Sequence, residues 1–202
     1  MEVGKFVKAR EKLGQGSINL LSDTIKFCIV DLNDWALSVS GATNATPIVI
    51  TTSTAHGLTT GDEVVISGVV GNTAANGLWK ITVLTTTTFE LDGSTGNGAY
   101  TSGGWVVSLE DDEFLGDIPV AARIATSSAL ASKTITRGYF DSANPLFTAP
   151  TGDDVTSVVL YKDTGNVATS PIISVHNDSA SFPLTLTGDD VEVVINDFII
   201  RV

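Results

Sequence analysis

The sequence predicts an all-β protein with one short N-terminal helix, in which a β-sandwich host domain contains an inserted small β-barrel. Charged residues are only 17% of the 202 residues and 19 residues are glycine, which is typical of β-rich proteins with polar, weakly charged surfaces. Short β-branched runs alternate with glycine and asparagine turns along most of the chain. The composition changes abruptly at Leu37 and changes back near residue 109. The sequence therefore predicts one domain with a second domain inserted in it.

The first part of the chain predicts the helix and one buried strand. The helix is predicted by the spacing of Phe6, Val7, Arg10 and Leu13, which lies near i, i+1, i+4 and i+7. Gly14 and Gly16 then supply a stop. Residues 24–31 are β-branched and apolar, and they predict a strand that ends at Asp31.

The middle part, residues 37–108, predicts a small β-barrel or rolled sheet. It contains one basic and four acidic residues among many Thr, Ser, Gly and Val residues. The candidate strands are residues 47–52, 63–67, 78–84, 88–91 and 104–107. Five short strands in so short a stretch fit a small barrel.

The last part, residues 109–202, resembles the first part in composition and contains fourteen of the 23 acidic residues. The candidate strands are residues 121–125, 133–136, 139–147, 157–162, 172–177, 184–187, 192–196 and 198–202. With the strand before residue 31 they make eight or nine, the number of a two-sheet sandwich. The chain would join smoothly if residues 37–108 were removed. We therefore expect a host domain of residues 1–36 plus 109–202, with residues 37–108 inserted in one of its loops.

Charge, hydropathy and cysteine content exclude several classes of function. A formal charge of −12 opposes the counterion-release attraction that drives nucleic-acid binding. No segment has the apolar length of a membrane span, and the N-terminus lacks the apolar region of a signal peptide. The single cysteine, Cys28, lies in an apolar run, where we expect it to act as a small hydrophobic residue.

The sequence predicts no catalytic residue, no cofactor and no metal site. His56 and His176 are distant in sequence and no Gly-x-Ser-x-Gly motif occurs, so we expect His56 to make a local hydrogen bond. The acidic groups at residues 110–113, 153–154 and 189–190 lack calcium-loop spacing and are expected to cap turns. A pair of carboxylates that meets only in space, as in glycosidases, stays open.

Several segments of the host domain resemble a family of small structural proteins encoded by tailed bacteriophages. They are VKAREKL (7–13), LSDTIK (21–26), FLGDIP (114–119), ARIATS (122–127) and LYKDTG (160–165). In that family the first two segments run almost directly into the third, which agrees with an insertion between them. The resemblance covers residues 1–36 and 110–202 and implies a virion protein.

The inserted stretch resembles a second unit, common in phage virion proteins, that is described after a β-barrel half-domain of ubiquitin-activating enzymes. The resemblance lies in TAHGLTTGD (54–62), NGLWKI (76–81) and GAYTSGG (98–104). It implies fold only, because the stretch contains no cysteine for thioester chemistry.

Three function hypotheses follow. The first is a capsid decoration or cement protein, not an enzyme, that binds the major capsid protein and forms a homo-oligomer; a trimer would suit threefold sites. Its assembly contacts would include Phe6, Lys8, Arg10, Lys12 and Trp35. The second is a tail, baseplate or fibre-associated protein that contacts the host surface or a fibre. The third is a virion-borne glycan hydrolase. Each places the protein in a virion assembled in the host cytoplasm.

Overall fold

The computed structural model describes residues 3–177, 182–195 and 199–202. The chain divides into two compact units. The host unit contains residues 3–34 and 112–202, and the barrel unit contains residues 35–111. No helix in these described residues is long and apolar enough to cross a membrane.

The described residues form one α-helix and sixteen strands. In chain order they are β1 (Val3–Lys5), α1 (Val7–Gly14), β2 (Ile25–Val30), β3 (Leu37–Ala42), β4 (Ile48–Thr52), β5 (Glu63–Ser67), β6 (Gly77–Val83), β7 (Thr88–Leu91), β8 (Trp105–Ser108), β9 (Arg123–Thr126), β10 (Thr134–Thr136), β11 (Tyr139–Asp141), β12 (Leu146–Phe147), β13 (Ser157–Lys162), β14 (Ile172–His176), β15 (Val191–Glu192) and β16 (Ile200–Arg201). Four single turns of 3-10 helix connect some of them. The predicted all-β class with one short helix is confirmed.

The host unit is built on a five-stranded antiparallel sheet of order β1-β14-β13-β2-β9. Nearly every residue of β2, β13 and β14 is buried, so both faces of the central strands are covered. Such continuous burial explains why these strands read as unbroken β-branched and apolar runs. Two smaller sheets, β10-β11-β16 and β12-β15, complete the host unit among the described residues.

Helix α1 lies where the sequence predicts it. Its C-terminal turn closes with a hydrogen bond from Gln15 N–H to the carbonyl oxygen of Glu11 (2.9 Å), and Gly16 follows with φ +73°. A positive φ is readily adopted by glycine, which makes it a common helix stop. Ala9 is buried while the neighbouring positions Lys8 and Arg10 are exposed, so a narrow stripe of α1 faces the core.

The barrel unit is a closed barrel of order β3-β4-β7-β6-β5-β8. Its core consists of Val39, Ala42, Ile48, Ile50, Leu58, Val64, Ile66, Val69, Ala75, Ile81, Phe89, Leu91 and Val106. The first and last strands close it, with Leu37 paired to Val106 and Ser38 to Trp105. Both ends of the inserted stretch therefore leave the barrel from neighbouring strands.

Some predicted strands differ from the observed ones. The expected strand at residues 139–147 is two strands, β11 and β12, which belong to different sheets. In residues 184–187 only Leu184 pairs, through an isolated bridge to Val155. Parts of the strands expected at 192–196 and 198–202 lie outside the described residues. Strand β3 was not predicted, so the barrel has six strands rather than five.

Candidate functional site

Phe6, predicted as an assembly contact, belongs to the core of the host unit. Its side chain is fully buried, and its backbone N–H donates to the carbonyl oxygen of Ile173 in β14 (3.1 Å). Burying a phenylalanine at this position fixes the start of α1 against the main sheet. The structure therefore corrects the expectation for Phe6, because the side chain offers no surface for a partner.

The three basic residues of α1 have different surroundings. Lys8 and Arg10 are exposed, and the Lys8 ammonium lies 3.8 Å from the Glu11 carboxylate. The Lys12 ammonium lies 2.7 Å from the Glu113 carboxylate and 4.8 Å from the centre of the Phe114 ring. Lys12 therefore ties α1 to the host segment that follows the barrel unit, whereas Lys8 and Arg10 face solvent.

The tryptophans all belong to the barrel unit. Trp79 packs against the barrel core, and its indole N–H donates to the carbonyl oxygen of Ala75 (2.9 Å). Trp35, the fifth predicted contact, is half-buried at the start of the unit, and Trp105 is half-buried in β8. Trp79 therefore anchors the barrel core.

His56 makes the local hydrogen bond that the sequence predicts, and a second one to a residue far along the chain. Its Nδ1 accepts from the N–H of Leu58 (3.0 Å), so Nε2 holds the proton and donates to the carbonyl oxygen of Thr85 (3.0 Å). The ring also meets Phe89 edge to face, with 5.4 Å between centroids. Both ring nitrogens are thus used to hold a turn of the barrel.

Ser174 and His176 form a hydrogen-bonded pair that the sequence did not predict. Ser174 Oγ lies 2.9 Å from His176 Nε2 on β14, and both side chains are buried. Burial lowers the pKa of His176 to about 3, so the ring is neutral near pH 7. A nucleophile needs access to its substrate, and the Ser174 hydroxyl has none. The pair therefore satisfies polar groups inside the sheet.

Cys28 is a fully buried free thiol in β2. Burial raises the pKa of this thiol to about 12, which keeps it protonated and unreactive. Its predicted behaviour as a small hydrophobic residue is confirmed.

The acidic groups at residues 110–113 and 189–190 accept both local and long-range hydrogen bonds. Asp190 accepts a hydrogen bond from the N–H of Ala149 (2.8 Å), and Asp189 accepts one from the Thr187 hydroxyl (2.7 Å). Glu110 accepts from the N–H of Glu63 (3.3 Å), and Asp111 from the Ser108 hydroxyl (3.4 Å). Asp189 and Asp111 bond within their own turns, as expected, whereas Asp190 and Glu110 bond to backbone groups far along the chain.

Three carboxylates of the host unit converge although they are distant in sequence. Asp31, Asp34 and Asp153 each place an oxygen within 4.8 Å of the others, a spacing that a divalent cation could bridge. Asp31 is buried and already accepts hydrogen bonds from Asn33 (2.9 Å) and Thr156 (3.3 Å), whereas the other two are exposed. No local spacing motif could reveal such a group, because it forms only when β2 meets the turn before β13.

Two loops at one end of the barrel are interlocked by backbone and asparagine hydrogen bonds. We call residues 68–76 and 93–104 together the loop face. Val70 N–H donates to Ser102 O (2.9 Å). The buried Asn72 side chain accepts from Asn97 N–H (3.0 Å) and donates to Thr43 O (2.8 Å). The two loops are thereby held as one rigid surface.

Glycine allows the two loops of the loop face to approach closely. A methyl group at Gly98 would lie 2.7 Å from the carbonyl oxygen of Gly71, and one at Gly103 would lie 2.6 Å from that of Gly68. Neither loop contains a charged residue. The loop face is therefore uncharged as well as closely packed.

A model of a known protein family matches part of the barrel unit. Residues 43–109 match the family model of the ubiquitin-activating enzyme E1 FCCH domain. The match supports the resemblance drawn from TAHGLTTGD, NGLWKI and GAYTSGG, and it agrees with the closed barrel. No curated protein sequence matches the chain.

Proposed function

We propose that this chain is a non-enzymatic structural protein of a tailed-phage virion, a decoration or cement protein that binds the outer face of the head. Its partners are then the major capsid protein and neighbouring copies of itself, and it joins the particle in the host cytoplasm. The proposal of a phage origin is supported by host-unit segments that resemble small virion proteins, such as residues 114–119 and 160–165.

The loop face is the observation that favours passive binding most. Its asparagine side chains are used within it: Asn72 Oδ1 accepts from the backbone N–H of Asn97 (3.0 Å), and Asn97 Nδ2 donates to the Thr73 hydroxyl (2.9 Å). A surface held in this way loses little conformational entropy on binding. It also contains no charged group for acid–base chemistry. A rigid, uncharged barrel end suits a permanent contact in a particle better than a reaction.

The polar pair inside the host unit favours the same conclusion. Ser174 and His176 are within hydrogen-bond distance, but both are buried and the histidine pKa is about 3. A general base for acyl transfer works best with a pKa near the operating pH and with its serine exposed. The pair is therefore suited to stabilising β14.

Counting copies of the chain in purified virions tests this proposal. A decoration protein repeats with the capsid lattice, so on the order of hundreds of copies per particle are expected. About a dozen copies or fewer, with antibody label at the tail, would overturn decoration and favour the tail or baseplate role. Heads that lack the chain should regain it, saturably, when the purified protein is added.

A further inference from the structure

We propose that Asn97 is a site of spontaneous covalent modification, at which the loop face gains a negative charge by deamidation. The sequence contains two Asn-Gly pairs, Asn76-Gly77 and Asn97-Gly98. In such a pair the backbone nitrogen of the glycine can attack the asparagine side chain readily, because glycine has no Cβ atom to obstruct the approach. The two pairs differ in their surroundings, and only one of them is set up to react.

The reaction needs only the chain itself and water. The Gly98 backbone nitrogen loses its proton and forms a bond to Asn97 Cγ. The bond between Cγ and Nδ2 then breaks, and Nδ2 leaves with that proton as ammonia. Water opens the resulting cyclic imide at either of its two C–N bonds. Breaking the new bond gives aspartate, and breaking the original peptide bond gives isoaspartate.

The surroundings of Asn97 favour this attack. Asn97 is exposed, and among the described residues the Gly98 N–H has no hydrogen-bond acceptor. Asn97 Oδ1 accepts a hydrogen bond from the N–H of Ala74 (3.1 Å), a donor that stabilises the negative charge which this oxygen gains during the attack. Asn97 Nδ2 donates to the Thr73 hydroxyl (2.9 Å), which can return a proton to the leaving nitrogen.

The surroundings of Asn76 oppose the same attack. Its Oδ1 accepts from the N–H of Val69 (2.9 Å) and its Nδ2 donates to the carbonyl oxygen of Val69 (3.0 Å), so the whole carboxamide is fixed to one residue. The next residue, Gly77, lies in β6 and pairs with Ile66 of β5. Attack at Asn76 therefore requires the start of a barrel strand to open, whereas attack at Asn97 requires only a loop residue to turn.

Conversion of Asn97 changes both the charge and the backbone length of the loop face. The loop face contains no charged residue, so the product places the first carboxylate there. The isoaspartyl form also adds one carbon atom to the backbone directly before Gly98, where an added methyl group would lie 2.7 Å from the Gly71 carbonyl oxygen. The hydrogen bond from Asn97 N–H to Asn72 Oδ1 (3.0 Å) joins the two loops at the same point. The modification therefore loosens this end of the barrel as the protein ages.

Timed incubation of the full chain at mildly alkaline pH tests this inference. Samples are digested, and the peptides that contain residues 76 and 97 are weighed by mass spectrometry, which detects the replacement of the amide NH2 by OH. In the folded chain deamidation should be at least about tenfold faster at Asn97 than at Asn76. In guanidinium chloride, where the fold no longer distinguishes the two pairs, the rates should agree within about threefold.

Asn97→Gln is the matched variant, because glutamine keeps the carboxamide but its longer side chain places it poorly for attack by the next nitrogen. It should abolish conversion at residue 97 and leave the rate at Asn76 within about twofold of the wild type. The comparison within the wild-type chain stands even if this variant fails to fold. Equal rates at the two pairs in the folded chain, or no conversion at Asn97 while the unfolded chain converts, would overturn the inference. Absence of the chain from virions would overturn the proposed function alone, since deamidation needs no partner.

Discussion

Single residues in the host unit show how polar groups are accommodated in a sheet whose central strands are covered on both faces. Ser157 in β13 donates its hydroxyl to the carbonyl oxygen of His176 (2.9 Å), and His176 in turn meets Ser174. The His176 ring also lies edge to face with Phe27, 5.8 Å between centroids. Buried polar groups that are hydrogen-bonded in this way cost little free energy, while a charge at the same place would cost much more.

The buried His176 predicts a pH dependence of stability. Its pKa is about 3 in the folded chain and about 6.5 when unfolded, so the unfolded state binds the proton first as pH falls. The contribution of the neutral ring is fully present above about pH 6.5 and is lost as pH falls toward 3, at up to about 1.4 kcal/mol per pH unit. NMR of the ring should show a neutral His176 down to about pH 4. A titration midpoint near 6.5 in the folded chain would contradict this.

At the residue scale, roles set by neighbouring residues could be predicted and roles set by distant ones could not. His56 bonds to Leu58 and Cys28 sits in its own apolar run, so both follow from the local sequence. Phe6 was misassigned because its burial depends on β14, far along the chain. The proximity of Asp31 to Asp153 could not be predicted for the same reason, because the two residues are far apart in sequence.

At the scale of elements, periodicity identified strands whose pattern is apolar and continuous. Strands β5 and β7 have the predicted bounds, since both are short runs between clear turns. Strand β3 was missed because its sequence, LSVSGA, is rich in serine and glycine, and only pairing with β4 and β8 makes it a strand. The split of residues 139–147 likewise follows from β11 and β12 pairing with different strands.

The loop face predicts which glycine substitutions the barrel tolerates. Gly98→Ala should lower the free energy of unfolding of the barrel unit by about 1–3 kcal/mol, because the added methyl meets the Gly71 carbonyl oxygen. Gly41→Ala, whose methyl would meet Thr51 at an ordinary 3.6 Å, is the control and should change it by less than about 0.5 kcal/mol. Because all three tryptophans lie in this unit, their fluorescence during urea unfolding reports on it directly. Equal effects of the two variants would contradict the close approach.

At the scale of the whole molecule, the way in which the barrel closes is relevant to the expected insertion of residues 37–108 in a loop of the host domain. Strands β3 and β8 are hydrogen-bonded neighbours, so residue 36, which precedes β3, and residue 109, which follows β8, adjoin strands that lie side by side. A loop of the host unit could then receive the barrel without separating its own ends. The amino-acid composition predicts this arrangement, because it changes sharply at Leu37.

Removal of the inserted stretch tests this organisation. A chain in which residues 37–108 are deleted and Ala36 is joined to Leu109 should still fold, because the main sheet β1-β14-β13-β2-β9 lies wholly outside the deleted stretch. Circular dichroism should show β structure and cooperative thermal unfolding. A deletion variant that lacks a cooperative transition would contradict the insertion of one domain in the other.

The pairing of β3 with β8, which closes the barrel, also determines how the barrel unit responds to a pulling force. The β3–β8 register contains two residue pairs, fewer than any other pairing in the barrel. The two strands are antiparallel, and the chain enters and leaves at the same end of both. Tension between residues 36 and 109 therefore loads the hydrogen bonds between β3 and β8 one after another, which is the unzipping geometry. In the shear geometry all of these hydrogen bonds would be loaded together. Under tension the barrel opens first at its junction with the rest of the chain.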